Sequence, residues 1–211
     1  MAYTTSGVAG FGIKEVADVG FYKQGTVTID ENGKVTAGTP LFVLDTLKVS
    51  NIENTAEQAE AKGGKGNAPL IIWDYGREIN ITLQDAVMTM ETLSMMFEGE
   101  VSDGNEIVIS ANTFPGTYTV VGKTFARDMN GEDSLFTWYV PKAKVNSEVT
   151  LTMEAEGDPT VFDMTLRVLR DSDGSMVRLI RDTNTKATDY KAMDAFAPAA
   201  PTAPADPEPQ G

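Results

Sequence analysis

The sequence predicts a mainly β protein, an antiparallel β-sandwich or barrel with one flanking α-helix. Short runs rich in Val, Ile, Thr and aromatic residues alternate with turn residues along most of the chain. Helical spacing of apolar residues is convincing only at about residues 85–98. With 211 residues and 41% hydrophobic residues, the chain is long enough to bury one core. We therefore expect an extended N-terminal arm at residues 1–20, a single β-sandwich domain at 21–186, and a flexible C-terminal tail at 187–211.

The first fifty residues carry strand and hairpin patterns. A Gly-rich, mildly apolar opening predicts an extended arm with a short strand at Phe11–Val16. Thr26–Ile29 and Lys34–Thr36 flank a turn, Asp30 to Gly33, whose Asn-Gly pair supplies the positive φ angles of a tight hairpin. Leu41–Ile52 is then predicted to be one long strand.

The segment Glu53–Pro69 interrupts the β pattern. Its first half has helical propensity without an apolar stripe, and its second half is rich in Gly and Lys. We predict a long loop at residues 53–69, and loops of this length are usually functional or disordered. A phosphate-binding loop is not supported, because Lys65 is followed by Gly66 instead of Ser or Thr and no helix follows.

The predicted helix spans about residues 85–98. Its apolar face consists of Ala86, Met90, Leu93 and Phe97. Thr82 or Asp85 could cap its N-terminus, and Gly99 stands where a C-terminal glycine stop is expected.

The remaining β segments are separated by Gly, Pro, Asn and Asp. Strands are predicted at Leu70–Trp73, Glu78–Leu83, Glu106–Ser110, Thr117–Phe125, Ser134–Val140, Glu148–Ala155, Val161–Arg170 and Ser175–Asp182. The last two flank an Asp-Gly turn, Asp171 to Gly174, which predicts a hairpin. From Ala197 onward Ala and Pro dominate, and this composition predicts an extended tail that builds no core.

Composition excludes several kinds of chemistry. The chain has no Cys and no His, so thiol nucleophiles, disulfides, Cys/His zinc sites and imidazole acid–base schemes are absent. Fragments resembling calcium loops at residues 128–133 and 171–175 lack the Glu at the twelfth position and fit hairpin turns better. We therefore predict no enzyme, no catalytic residue, no metal and no cofactor. No signal peptide is expected, and no apolar run approaches the ~20 residues of a membrane span.

The charge of the chain is strongly negative. There are 31 Asp and Glu residues against 17 Lys and Arg, a formal net charge of −14. Such a surface repels nucleic-acid phosphates, so binding through a basic patch is not expected. A channel through which nucleic acid slides without sticking would instead benefit from like charge.

The order of motifs resembles that of a tailed-bacteriophage virion structural protein, most closely a tail tube protein. The resemblance covers roughly residues 7–185. It is carried by Leu41-Phe42-Val43-Leu44-Asp45-Thr46-Leu47-Lys48-Val49-Ser50, Gly63-Gly64-Lys65-Gly66-Asn67, Trp73-Asp74-Tyr75-Gly76-Arg77-Glu78-Ile79 and Asp85-Ala86-Val87-Met88-Thr89. Tail tube proteins form β-sandwiches whose sheets pair into hexameric rings, and the rings stack around an acidic lumen.

The resemblance implies a self-associating protein of the phage tail, assembled in the host cytoplasm. DNA would pass through the lumen without specific binding, and other tail proteins would be partners. A long loop of such proteins reaches the neighbouring ring, which implies an inter-ring contact by Glu57, Glu60, Lys62, Gly63, Gly64, Lys65, Gly66 and Asn67. The N-terminal arm would make a second subunit contact through Phe11, Ile13 and Val16.

Two alternatives remain open from the sequence. A capsid decoration protein or a head–tail connector would share the β-rich composition and the virion location. A carbohydrate-binding β-sandwich would need an exposed aromatic platform, for which Trp73 and Trp138 are the largest candidates.

Overall fold

The computed structural model describes residues 10–13, 18–29, 35–87, 89–102, 105–146 and 162–186. Within these ranges the chain forms thirteen strands and one α-helix. They are β1 (Phe11–Ile13), β2 (Asp18–Tyr22), β3 (Val27–Ile29), β4 (Val35–Ala37), β5 (Phe42–Leu44), β6 (Leu47–Gly63), β7 (Ala68–Asp85), α1 (Met90–Phe97), β8 (Glu100–Ser102), β9 (Glu106–Val108), β10 (Thr117–Asp128), β11 (Asp133–Val145), β12 (Phe162–Val168) and β13 (Arg178–Lys186). The predicted mainly β, antiparallel fold with one helix is confirmed.

Nine of these strands form one antiparallel sheet, with the order β5-β2-β10-β11-β12-β7-β6. The long central strands β10 and β11 each accommodate two neighbours on one side. β10 pairs with β2 through Thr119 to Lys123 and with β1 through Ala126 to Asp128. β11 pairs likewise with β13 near its start and with β12 near its end.

The sheet curls until its two ends meet at one point. β5 and β6 lie at opposite ends of the strand order, yet only Asp45 and Thr46 join them in the chain. The Thr46 hydroxyl donates to the buried Asp85 carboxylate, and the Thr46 carbonyl accepts from Ala86 N–H at 3.1 Å. No ladder joins β5 to β6 among the described strands, so the sheet is not a closed barrel. The long strand predicted at Leu41–Ile52 is therefore interrupted where the chain crosses between the two ends.

The concave side of the sheet holds the core. Alternate residues of β7 point inward, and Ile79, Ile81 and Leu83 are buried there with the period of two that a strand imposes. Met95 and Met96 of α1 join the same cluster. The β3–β4 hairpin covers a smaller cluster, formed by Tyr22, Val27 and Val121. Its predicted strands pair as expected, although the turn at residues 30–34 lies outside the described residues.

The helix is shorter than predicted at its N-terminus. Asp85 is the last residue of β7, paired with Leu47 and Phe162, so the chain is still extended there. Thr89 is the N-cap instead, and its hydroxyl accepts from Thr92 N–H at 3.1 Å. The helix ends at Phe97, close to the predicted end, but the left-handed residue is Glu98 and not the predicted Gly99. The Gly99 N–H donates to the Ser94 carbonyl at 3.0 Å.

The predicted loop at Glu53–Pro69 is wrong. β6 and β7 pair with each other from Leu47 opposite Asp85 to Gly63 opposite Ala68. The weak helical propensity of the Glu/Ala segment is overridden because β7 offers it a full ladder of hydrogen bonds. The Gly-rich residues form the turn of this hairpin. Gly64, Gly66 and Asn67 have φ angles of +77°, +93° and +50°, and Asn67 N–H donates to the Gly64 carbonyl at 3.2 Å.

The predicted C-terminal hairpin is also wrong, although its turn is present. Gly174 has a φ of +86° and its N–H donates to the Asp171 carbonyl at 3.0 Å. The strands on either side do not pair with each other. β12 pairs with β7 and the end of β11, whereas β13 pairs with the beginning of β11. The strand predicted at Glu148–Ala155 lies outside the described residues.

Gly122 provides a test of the packing between β10 and β11. It faces Trp138 across the two strands, and a Cβ at this position would overlap the buried indole ring. We expect Gly122→Ala to lower the free energy of unfolding by about 1–3 kcal/mol, the usual cost of overpacking. Urea denaturation measures this loss. Gly12→Ala is the matched control, since Gly12 lies in β1 of the same sheet with open space around its Cβ position. Equal losses in the two variants would contradict the account.

Candidate assembly surface

The β6–β7 hairpin changes character halfway along its length. β7 alternates buried and half-buried residues from Ile79 to Asp85, but all its residues from 68 to 78 are exposed. A register shift at this boundary follows Thr55 on β6, and Gly76 on β7 has a φ of +61° there. The distal part, residues 57–75, is named the ribbon. At about 3.3 Å per residue, its strands extend roughly 20 Å beyond the core.

One face of the ribbon is apolar and exposed. Ile71, Trp73 and Tyr75 follow one another at alternate positions of β7, opposite Ala61, Ala59 and Glu57 of β6. Trp73 keeps 53% of its surface exposed, whereas Trp138 in the core keeps 3%. Large apolar side chains grouped on a projecting element are typical of a surface that a partner covers.

The other face of the ribbon is more polar, although Ile72 is exposed on it. The Gln58 amide donates to the Asp74 carboxylate at 2.8 Å, and the Lys62 ammonium pairs with Glu60 at 2.9 Å. Ile72 lies opposite Glu60 on this face. The face with Ile71, Trp73 and Tyr75 is therefore the more apolar of the two.

Both edges of the ribbon are open among the described strands. β6 is the last strand in the sheet order, and β12 pairs with β7 only from Asn80 to Asp85. The backbone N–H and C=O groups along these edges can therefore pair with a strand of another chain.

The predicted inter-ring residues all lie on the ribbon. Glu57, Glu60, Lys62 and Gly63 belong to β6, and residues 64–67 form the turn. The sequence predicted a strand at Leu70–Trp73 but not that Ile71, Trp73 and Tyr75 are exposed on one face of it, because an apolar run has the same pattern in a buried and in an exposed strand. The sequence did contain a signal for this exposure. The Glu/Ala segment before the Gly-rich turn and the strand after it are equal in length, which indicates that the two could pair as a hairpin.

The predicted arm residues are placed only in part. Phe11 and Ile13 lie in β1, opposite Asp128 and Ala126 of β10, and Val16 lies outside the described residues. The Phe11 ring lies 5.8 Å from that of Phe136, and both Phe11 and Ile13 are exposed. A subunit contact by these three residues remains a prediction.

A cleft of about 710 Å³ opens beside α1. Its walls include Glu91 and Glu98, near the two ends of the helix, together with Met95 and Tyr118. The Glu98 carboxylate accepts from Gly116 N–H at 2.9 Å. Burial, together with this carboxylate, raises the pKa of Tyr118, so its phenol stays neutral beside Glu98.

Perturbed ionisable groups are scattered rather than grouped. Burial lowers the pKa of Lys123 to about 8 and raises the pKa of Tyr22 to about 12. Within the described part of the chain, no three His, Cys, Asp or Glu side chains group closely enough to hold a metal ion. None of the described helices has the length and apolar character needed to cross a membrane.

Comparison with known proteins identifies the family. No curated protein matches the chain. Among solved structures, one similar chain comes from the cryo-EM structure of the anti-feeding prophage (AFP) baseplate, 6-fold symmetrised. That match covers 80% of this chain and 95% of the other, at 14% identity and a TM-score of 0.39. The model of the YomU/Tube protein family matches residues 11–105 and 99–180. Since the two segments matched by this family model together cover most of its length, the chain belongs to the YomU/Tube protein family.

Proposed function

We propose that this chain is a structural subunit of a phage tail tube. Its copies pair their β-sheets into rings, hexameric as in the tail tube proteins it resembles, and the rings stack into a tube. Family membership supports a structural component of a phage tail. Assembly would take place in the host cytoplasm, and the final location would be the virion.

The observation that carries this proposal is the ribbon. A free-standing two-stranded ribbon is marginally stable in water by itself, yet this one presents an apolar face and two open edges. Such an element gains its stability from a neighbouring copy, which covers the apolar side chains and pairs with the strand edges. The N-terminal arm adds a second contact through Phe11, Ile13 and Val16.

The acidic charge supports a channel for DNA. With a net charge of −14, a lumen lined by these subunits repels the phosphate backbone and leaves no adhesive patch. DNA passes through such a channel without specific binding. Catalysis has no role in this proposal, and the chain offers neither the thiols nor the imidazoles that many enzymes use.

Electron microscopy of the purified protein tests assembly directly. We expect negative-stain images to show rings or stacked tubes with six-fold symmetry. A protein that stays monomeric at high concentration and at all salt concentrations would rule out the proposal. A stable trimer that coats empty capsids would indicate a decoration protein instead.

Two neighbouring isoleucines test which face of the ribbon is covered. Ile71→Ser alters the apolar face, and Ile72→Ser makes the same change one residue further along, on the polar face. Burying an Ile side chain stabilises a contact by about 1.5–3 kcal/mol. We therefore expect Ile71→Ser to raise the concentration needed for assembly about ten- to a hundredfold, measured by sedimentation.

The control variant Ile72→Ser should assemble nearly as the original chain does. Because both side chains are exposed, both variants should unfold within about 0.5 kcal/mol of it. Equal defects in assembly for the two variants would show that the apolar face has no special role.

A further inference from the structure

The turn of the ribbon carries positive charge on an acidic protein. Lys62 and Lys65 lie within residues 62–68, which contain no acid. Lys62 is paired with Glu60, but Lys65 is exposed and forms no ion pair within the described residues. The positive φ angles at Gly64, Gly66 and Asn67 define the shape of this turn, so less ordering is needed when it docks.

The cleft beside α1 has the complementary chemistry. Glu91 and Glu98 stand on its walls, and no Lys or Arg among the described residues lines it. Within the described part of the chain, Glu91 forms no ion pair, and the Glu98 carboxylate accepts from Gly116 N–H. Met95 and Phe42 supply apolar surface inside, while Leu41 and Val108 are exposed at its rim.

We infer that the ribbon turn of one copy docks in the cleft beside α1 of the next copy, with Lys65 between Glu91 and Glu98. The cleft, at about 710 Å³, falls in the size range that encloses a drug-sized ligand, which is comparable with a four-residue turn. Leu70, which is 69% exposed beside the turn, meets the apolar rim of the cleft. This inference rests on the proposed function and names the surface that receives the ribbon.

The contact has a consequence for assembly. Turn and cleft are different surfaces of one chain, and no residue of the ribbon lines its own cleft. Each copy therefore donates one turn and receives another, which makes the contact heterologous. A heterologous contact that does not close on itself continues from copy to copy, as the stacking of rings requires.

Charge reversal on each side tests the contact. Lys65→Glu alters the turn, and the double variant Glu91→Lys/Glu98→Gln alters the cleft while keeping an acceptor for Gly116 N–H. Because like charges then face each other, we expect either variant to raise the concentration needed for assembly about tenfold or more. An equimolar mixture of the two should assemble near the original concentration, since each turn then finds a cleft of opposite charge.

Lys23→Glu is the matched control, because Lys23 is also exposed beside a turn but neither belongs to the ribbon nor lines the cleft. It should assemble as the original chain does, and thermal melting checks that all variants are folded. Either variant assembling unimpaired, or a mixture that fails to recover, overturns the inference, since the turn then docks elsewhere or the cleft takes another partner. In those cases tubes of the original chain still support the proposed function. A failure of the original chain itself to assemble rejects both.

Discussion

The structure depends on the antiparallel pairing of β6 with β7. Near Asp85 this ladder belongs to the core, where Ile79, Ile81 and Leu83 are buried. On the N-terminal side of Gly76 in β7, the same ladder leaves the core and becomes the ribbon. Because the strands continue without a break in the chain, the core holds the base of the ribbon in a defined orientation. A surface loop could not present an apolar face toward a neighbour with comparable accuracy.

Local signals predicted local features of this fold. The Asn-Gly pair indicated the β3–β4 hairpin, and the apolar spacing around Leu93 indicated the helix. The predicted start of the helix was wrong because Asp85 is the last residue of β7. Its place in that strand depends on its contacts with Thr46 and Phe162, which are distant in sequence. The Asp-Gly turn at Gly174 was also recognised, but turns do not determine which strands pair. β12 and β13 both pair with β11, because that strand is long enough for each of them to pair with a different end of it.

On the candidate assembly surface, too, local composition could be interpreted from the sequence but strand pairing could not. Lys62 and Lys65 were expected to be contact residues because the position and composition of their segment match the long loop of the tail tube proteins that the chain resembles, and this contact stays a prediction. Trp73 and its neighbours could not be assigned, since an apolar run looks the same whether its strand enters the core or leaves it. Only the pairing with the Glu/Ala segment distinguishes the two cases. That segment supplies no large apolar side chain opposite Trp73, so one apolar face stays exposed.

The proposed assembly requires that the ribbon becomes buried between copies. Hydrogen exchange followed by mass spectrometry measures this at peptide level, with the protein below and above its assembly concentration. We expect exchange in residues 57–75 to slow markedly on assembly, because both strand edges gain partners, while exchange in the turn at residues 171–174 changes little. Ribbon exchange that is as fast in assembled tubes as in dispersed subunits would contradict the account.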